Sequence, residues 1–318
     1  MIGAEDGSYR AAREGAAVIE LPRGVLEATG PKRLDFLQGM LSNDVARLGP
    51  GQGCRAALLD VKGHVQSLMR VVVTTNAVLL EMPQDRLGPV EGFLNHHKVA
   101  APVRFRQPES TVLALLGPGA RDVLARAGAV VPALPGESHV AASIAGAAVL
   151  IVAAGDLPGG GLALHVDPAG QERLRAALEG AGAANLSAEA LDALRIEEGR
   201  AWFGRDVTEE NLLHETGQLD EYASVSKGCY VGQEVVARLD ARGGHVNRAL
   251  RGLRLEAPTK AGAPLRAEGK EVGRVTTAAV SPRLGPIAMA YVHRSHFEPG
   301  TTLDAEGALA TVAALPLG

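Results

Sequence analysis

The sequence predicts an α+β protein of more than one domain that ends in a small β-barrel. Three observations carry this prediction. Strand-like and helix-like stretches alternate through the first two thirds of the chain. The order strand, Gly-Pro, helix occurs twice, at Gly30-Pro31 and at Gly117-Pro118. From Gly252 onward, short apolar runs alternate with Gly and Pro turns, the pattern of a small barrel or sandwich. A length of 318 residues fits two or three domains at roughly 100–200 residues each.

Each element has a local cause. Ala16–Leu21 and Gly24–Thr29 read as strands around a Pro22 turn, and Gly30-Pro31 opens a helix, because proline suits a first helical position whose N–H has no partner. Leu34, Leu37 and Leu41 give that helix an apolar face, and Ser42, Asn43 and Asp44 are natural caps for the turn after it. Ala56–Leu59, Val65–Val73 and Val78–Met82 are strand-like, with turns at Lys62-Gly63 and Thr75-Asn76. A helix over Asp85–His97 precedes strands at Val103–Arg106 and Val112–Leu116, followed by the second Gly-Pro. Strands at Ala147–Val152 and Leu162–Val166 lead to helices over Gln171–Leu178 and Ala188–Glu198, the latter capped by Ser187. Arg242-Gly243-Gly244 reads as a linker, which sets the domains at 1–245 (a body, divisible into two units near 108–117) and 246–318 (the barrel). Barrel strands are expected at Gly252–Leu255, Val272–Thr276, Ile287–Val292 and Leu309–Val312.

Composition narrows the function. Thirty-six acidic residues against 32 basic ones give a net charge of −4, which does not support a stable nucleic-acid binder. One Trp, four Tyr and five Phe leave little material for stacking bases. Two cysteines, Cys54 and Cys229, exclude a disulfide framework and a four-cysteine metal or cluster cage within one chain, and they fit a reducing, cytoplasmic setting. The start, with Glu5, Asp6, Arg10 and Arg13, has no signal-peptide core. No apolar run approaches a membrane span. His245, His293 and His296 have no Cys or Glu at metal spacing, so no metal is assigned. His96-His97 read as a surface pair at a helix end, and Gly159–Gly161 lacks the Lys-Ser/Thr of a phosphate loop.

One segment stands apart: Lys227-Gly228-Cys229-Tyr230-Val231-Gly232-Gln233-Glu234, running on to Arg238. Two glycines bend the backbone around a single cysteine, a lysine precedes it by two residues, and a helix-like run follows from Glu234 to Leu239. On that geometry, the helix N-terminus and the cation both favour the thiolate. An isolated cysteine in a turn would otherwise be read as buried and inert.

The string Lys-Gly-Cys-aromatic-x-Gly-Gln-Glu-x-x-x-Arg resembles the signature of the YgfZ family, the folate-binding branch related to the T-protein (aminomethyltransferase) of the glycine cleavage system. Phe36-Leu37-Gln38 with Ser42-Asn43-Asp44-Val45, Arg195-Ile196-Glu197-Glu198-Gly199 and Val272–Thr276 resemble further family segments in the same order, from about Gly24 to Leu303. The resemblance implies a cloverleaf of α+β units around a central folate-sized cavity. It implies tetrahydrofolate or another folate derivative as cofactor, with Glu197 accepting the two adjacent N–H donors of the pterin. It implies Cys229 as a working thiol tuned by Lys227, with Tyr230, Gln233, Glu234 and Arg238 shaping the loop and binding the cofactor. The implied role is support of iron–sulfur cluster assembly or repair in client proteins, some of them tRNA-modifying. With one thiol available, any such cluster is shared with a partner, a second subunit or a small-molecule ligand.

Two departures weigh against the enzyme. Gln66 and Ser67 stand where the T-protein carries two carboxylates, and neither side chain is an anionic base at neutral pH. Asp156-Leu157-Pro158-Gly159-Gly160-Gly161 replaces the T-protein's Tyr-Thr-Gly-Glu loop, and Leu80-Glu81-Met82 stands at the strand end that carries an asparagine in the enzyme. A tetrahydrofolate-dependent aminomethyltransferase is therefore the alternative reading, and a binding scaffold without folate is the third. Trp202 is read as core packing that borders the cavity.

Overall fold

The computed structural model describes residues 7–318; Glu5 and Asp6 lie outside the described residues. A short helix, α1 (Gly7–Glu14), leads into β1 (Ala17–Leu21). The first unit then runs β2 (Arg23–Thr29), α2 (Arg33–Met40), β3 (Gly53–Leu59), β4 (Val65–Val73), β5 (Ala77–Pro83), α3 (Leu87–His97) and β6 (Arg104–Arg106). Its strands form one sheet in the order β3-β4-β5-β2-β6, and every pairing is antiparallel.

The second unit runs β7 (Thr111–Leu116), α4 (Ala120–Arg126), β8 (His139–Ile144), β9 (Ala147–Ala153), β10 (Leu162–Val166), α5 (Pro168–Gly180) and β11 (Ala184–Asn185). Its sheet has the order β11-β1-β7-β10-β9-β8, so β1 is contributed from before the first unit. The repeated Gly-Pro therefore occupies equivalent places: it ends β2 before α2, and β7 before α4.

Each sheet covers its own core. Leu26, Leu58, Val71 and Leu80 pack under α2 and α3, whereas Leu113, Ile151 and Leu164 pack under α4 and α5. Each such side chain contributes about 1.5–3 kcal/mol when fully buried. The inner faces of the two sheets meet α6 (Ala188–Glu197), which follows the Ser187 cap. Two short helical turns, one of them α7 (Leu219–Tyr222), and α8 (Gln233–Asp240) complete the body.

The C-terminal unit is a closed barrel, β12-β15-β14-β13-β16-β17, built from β12 (Arg248–Leu255), β13 (Pro264–Ala267), β14 (Lys270–Ser281), β15 (Gly285–His293), β16 (Thr302–Ala305) and β17 (Ala308–Ala313). It docks on α6 and the segment after it: Thr276 Oγ1 donates to Asp206 at 2.7 Å, and the Leu317 N–H donates to the Glu197 carbonyl at 2.7 Å. No helix among the described residues is long and apolar enough to cross a membrane.

The expected α+β order and the barrel are present, with differences at the edges. The first helix opens at Arg33, three residues after Gly30, and the helix over 85–97 starts as a 3-10 turn at Gln84–Arg86. β8, β11, β13 and β16 were not expected. They are two to six residues long, too short for strand alternation to stand out in the sequence.

Candidate functional site

Charged residues within apolar strands make the most unusual cluster of the body. Arg70 lies in β4, between Met69 and Val71, and is 1% exposed. Its guanidinium is held by Glu81 of β5, by Glu137 at 3.0 Å and by Asp156. Arg23 bridges the same acids, 3.0 Å from Glu81 and 2.7 Å from Asp156. Arg55 pairs with Glu137 at 3.1 Å and with Glu221, and His165 Nε2 lies 2.7 Å from Glu81. Glu81 comes from the first sheet and Asp156 from the loop after β9, so the network ties the two units together.

Burial opposes the charge on these carboxylates, and the arginines overcome it. Burial alone would raise Glu81, but Arg70, then His165 and Arg23, hold it well below the usual carboxylate range. Burial also works against Asp156, which Arg23 and Arg70 bring down to about 2. At Glu137 burial wins and the carboxyl is pushed up. Buried ion pairs add little net stability but forbid mispaired arrangements, because an unmatched charge here costs several kcal/mol.

Above this network lies a cavity of about 590 Å³. Arg23, Arg70 and Asp156 are among its charged lining residues, and Leu68, Met69, Trp202 and Tyr222 are among its apolar and aromatic walls. Trp202 is fixed from two sides: Nε1 donates to the Asp156 carbonyl at 3.1 Å, and the Arg23 guanidinium sits 4.9 Å from the ring centre. The volume lies within the range of small-molecule sites, and mostly apolar walls with a few fixed polar groups are what such sites present.

Residues singled out in the sequence lie elsewhere. Glu197 is 0% exposed and does not line this cavity. Its carboxylate accepts from Tyr9 at 2.7 Å, from Arg13, from Ser281, and from Arg283 at 3.3 Å. Those donors come from α1 and the barrel, so the carboxylate expected to hold the pterin joins α6 to α1 and to the barrel.

Lys227 is 7% exposed, and its ammonium points into the protein. It donates to the carbonyls of Gln38 at 2.7 Å, Leu41 at 2.5 Å and Asn43 at 2.9 Å, and it lies 4.9 Å from the Tyr230 ring centre. Gln38 lies in the last turn of α2 and Leu41 and Asn43 just after it, so the ammonium sits at the C-terminal end of the helix, where a cation is favoured. Every hydrogen bond described for this ammonium goes to a backbone carbonyl, and none goes to Cys229. Burial pushes Lys227 down to about 8, against the pull of Asp44 and Cys54.

Cys229 is exposed on the same loop. The helix behind it starts at Gln233, four residues on, after Gly232 at φ +83°; a Cβ there would meet the Asp60 carbonyl at 2.6 Å, so the close packing of this bend on the 60–64 turn needs glycine. Gln233 Oε1 accepts from the Tyr230 N–H at 3.3 Å. Glu234 and Arg238 are exposed on α8. Tyr230, Gln233, Glu234 and Arg238 do not line the cavity, so the structure does not bring the thiol loop and the cavity into one site.

At the departures from the enzyme pattern, Ser67 is fully buried, with Oγ donating to the Leu68 carbonyl at 3.3 Å, and Gln66 Nε2 donates to the His64 carbonyl at 3.4 Å. Asp156 and Glu81, noted in the sequence as replacements, are brought together by Arg70, which sequence reading passed over. The available signal was a lone arginine inside the apolar run Val65–Val73, since arginine is rarely buried without partners.

Comparison with known proteins agrees with this architecture. The GCVT N-terminal domain matches residues 3–221, and the glycine cleavage T-protein C-terminal barrel domain matches residues 248–317. Similar curated proteins include a putative transferase, chloroplastic, of Arabidopsis thaliana, 26% identical over 86% of this chain and 64% of its own length. The aminomethyltransferase of Streptomyces avermitilis is 30% identical over 94% of this chain and 84% of its own. The chain thus spans less than two thirds of the first relative and most of the second. Among solved structures, the glycine cleavage system aminomethyltransferase T from Bartonella henselae shares the fold, with a TM-score of 0.85 over 98% of this chain and 89% of that one, at 22% identity. The chain therefore belongs to the GCVT family, with both its N-terminal domain and its C-terminal barrel.

Proposed function

We propose that this chain is a folate-binding accessory protein of the YgfZ type, which supports iron–sulfur cluster assembly or repair in client proteins, some of them tRNA-modifying. One observation carries the reading: β4 brings Leu68, Met69 and Arg70 to the cavity but no carboxylate, since Gln66 and Ser67 stand at the positions where the T-protein has acids. A buried serine that donates to a backbone carbonyl is no general base.

The residues present fit a folate. Leu68, Met69, Trp202 and Tyr222 match a flat bicyclic ring, and Asp156 offers an anionic acceptor beside Arg23. Bound folate would supply a one-carbon carrier. The chain's own residues would hold the ring and keep water from its buried face. Cys229, exposed and outside the cavity lining, is the group that meets a client. A reducing, cytoplasmic setting goes with this role.

The test has two arms. Calorimetric titration with tetrahydrofolate checks binding, and absence of saturable binding below the millimolar range leaves the scaffold reading. Complementation of a strain lacking its own homologue checks the role: a Cys229→Ser variant that fully restores client cluster enzymes removes it. The aminomethyltransferase reading draws on the Streptomyces relative's name; methylenetetrahydrofolate formation from an aminomethylated lipoyl carrier would establish it.

A further inference from the structure

A second cavity, of about 360 Å³, lies where the two sheets meet. Val25 and Leu79 line it from β2 and β5, and Leu150 and Val166 from β9 and β10. Its volume is at the lower end of the range of small-molecule sites, about 300–1,000 Å³.

His165 connects this cavity to the charged network. It lines the cavity and is only 7% exposed. Nε2 lies 2.7 Å from Glu81, which the arginines hold ionised, so Nε2 donates there. Nδ1 is buried and has no hydrogen-bond partner among the described residues. With Nε2 donating, Nδ1 of the neutral ring is an acceptor. A buried acceptor left unpaired is costly, and a ligand that donates to it removes that cost.

The remaining polar groups of the lining decide which donor fits. Glu27, Glu109 and Asp167 line the cavity, and among the described residues no lysine or arginine does. Arg106 engages Glu27 at 3.0 Å, and Asp167 Oδ1 accepts from the Gly170 N–H at 2.9 Å. No arginine or lysine pairs with Glu109 or Asp167 among the described residues. An anion meets no cation here, whereas a cation that carries N–H donors meets the imidazole acceptor and a negative field.

We propose that this cavity binds a small primary ammonium ion, which donates to His165 Nδ1 while its alkyl part lies on Leu79, Leu150 and Val166. The site is separate from the first cavity and does not rest on the folate reading.

The experiment is an NMR titration of the full chain, with isotope-labelled histidine, against n-propylammonium chloride at pH 8. Tetramethylammonium chloride, a cation without an N–H donor, is the control at equal ionic strength. The His165 resonances are identified by their absence from the spectrum of His165→Gln. The expected result is a saturable shift of His165 Nδ1 with n-propylammonium, and at least tenfold weaker binding of tetramethylammonium. Ala148→Trp places a bulky side chain at an exposed lining position and is expected to weaken n-propylammonium binding at least fivefold, with the melting temperature unchanged. Equal affinity for the two cations overturns the proposal, because charge alone then accounts for binding. Absence of a saturable shift overturns it as well, and so does an n-propylammonium affinity that Ala148→Trp leaves unchanged.

Discussion

The ammonium of Lys227 lies 2.9 Å from the carbonyl oxygen of Asn43, with the carbonyls of Gln38 and Leu41 also in reach. One side chain from the thiol loop therefore closes the end of α2, 184 residues earlier in the chain. The lysine ties the loop that carries the exposed thiol to the end of α2.

Lys227→Met is expected to lose about 1–3 kcal/mol of stability, the cost of leaving buried carbonyls unsatisfied. The loss depends on pH with a definite sign. Burial brings folded Lys227 to about 8, below its unfolded value of about 10.4. Between these values the unfolded chain binds more protons, so wild-type stability rises with pH relative to the variant. Urea unfolding at pH 7.5 and pH 9.5 checks this; a gap that stays constant or narrows contradicts it.

Arg70→Met removes the cation shared by Glu81, Glu137 and Asp156. The expected loss is about 3–5 kcal/mol, because buried carboxylates are left without a partner. Glu81 and Asp156 are both held below their unfolded values, Asp156 at about 2. Their contribution is present above about pH 4 and is lost as pH falls towards 2. Circular dichroism at pH 5, 4, 3 and 2 should show wild-type stability falling across that window, and the variant falling less steeply.

The two cysteines should react differently. Cys229 is exposed, whereas burial pushes the half-buried Cys54 up to about 12. A chromogenic disulfide reagent at pH 8 should label one thiol quickly in the native protein and the second only after unfolding. Cys229→Ser should abolish the fast phase; retention of it would assign that phase to Cys54.

Glu197→Gln separates a clasp from a ligand. The carboxylate accepts from Tyr9, Arg13, Ser281 and Arg283 and does not line the cavity. The melting temperature is expected to fall by several degrees, the equivalent of about 1–3 kcal/mol. Affinity for tetrahydrofolate, followed by Trp202 fluorescence, is expected to change less than threefold. A tenfold loss of affinity with unchanged melting would return Glu197 to the binding site.

The sequence by itself determined the order of α and β elements, the paired Gly-Pro units, the barrel and the absence of acids at Gln66 and Ser67. These are local matters: periodicity, turn chemistry and residue type are written in adjacent positions. It also carried the motif around Cys229, because glycines at a bend keep fixed spacing. The tertiary structure decided which charges meet. Arg70 and Asp156 are far apart in sequence, and only the packing of two sheets makes them partners. The same packing turned Lys227 towards the end of α2 and enclosed Glu197 between α1 and the barrel. Buried polar side chains go where their hydrogen bonds are satisfied, and the nearest unsatisfied carbonyl or cation is set by the fold, not by the neighbouring residues in the chain.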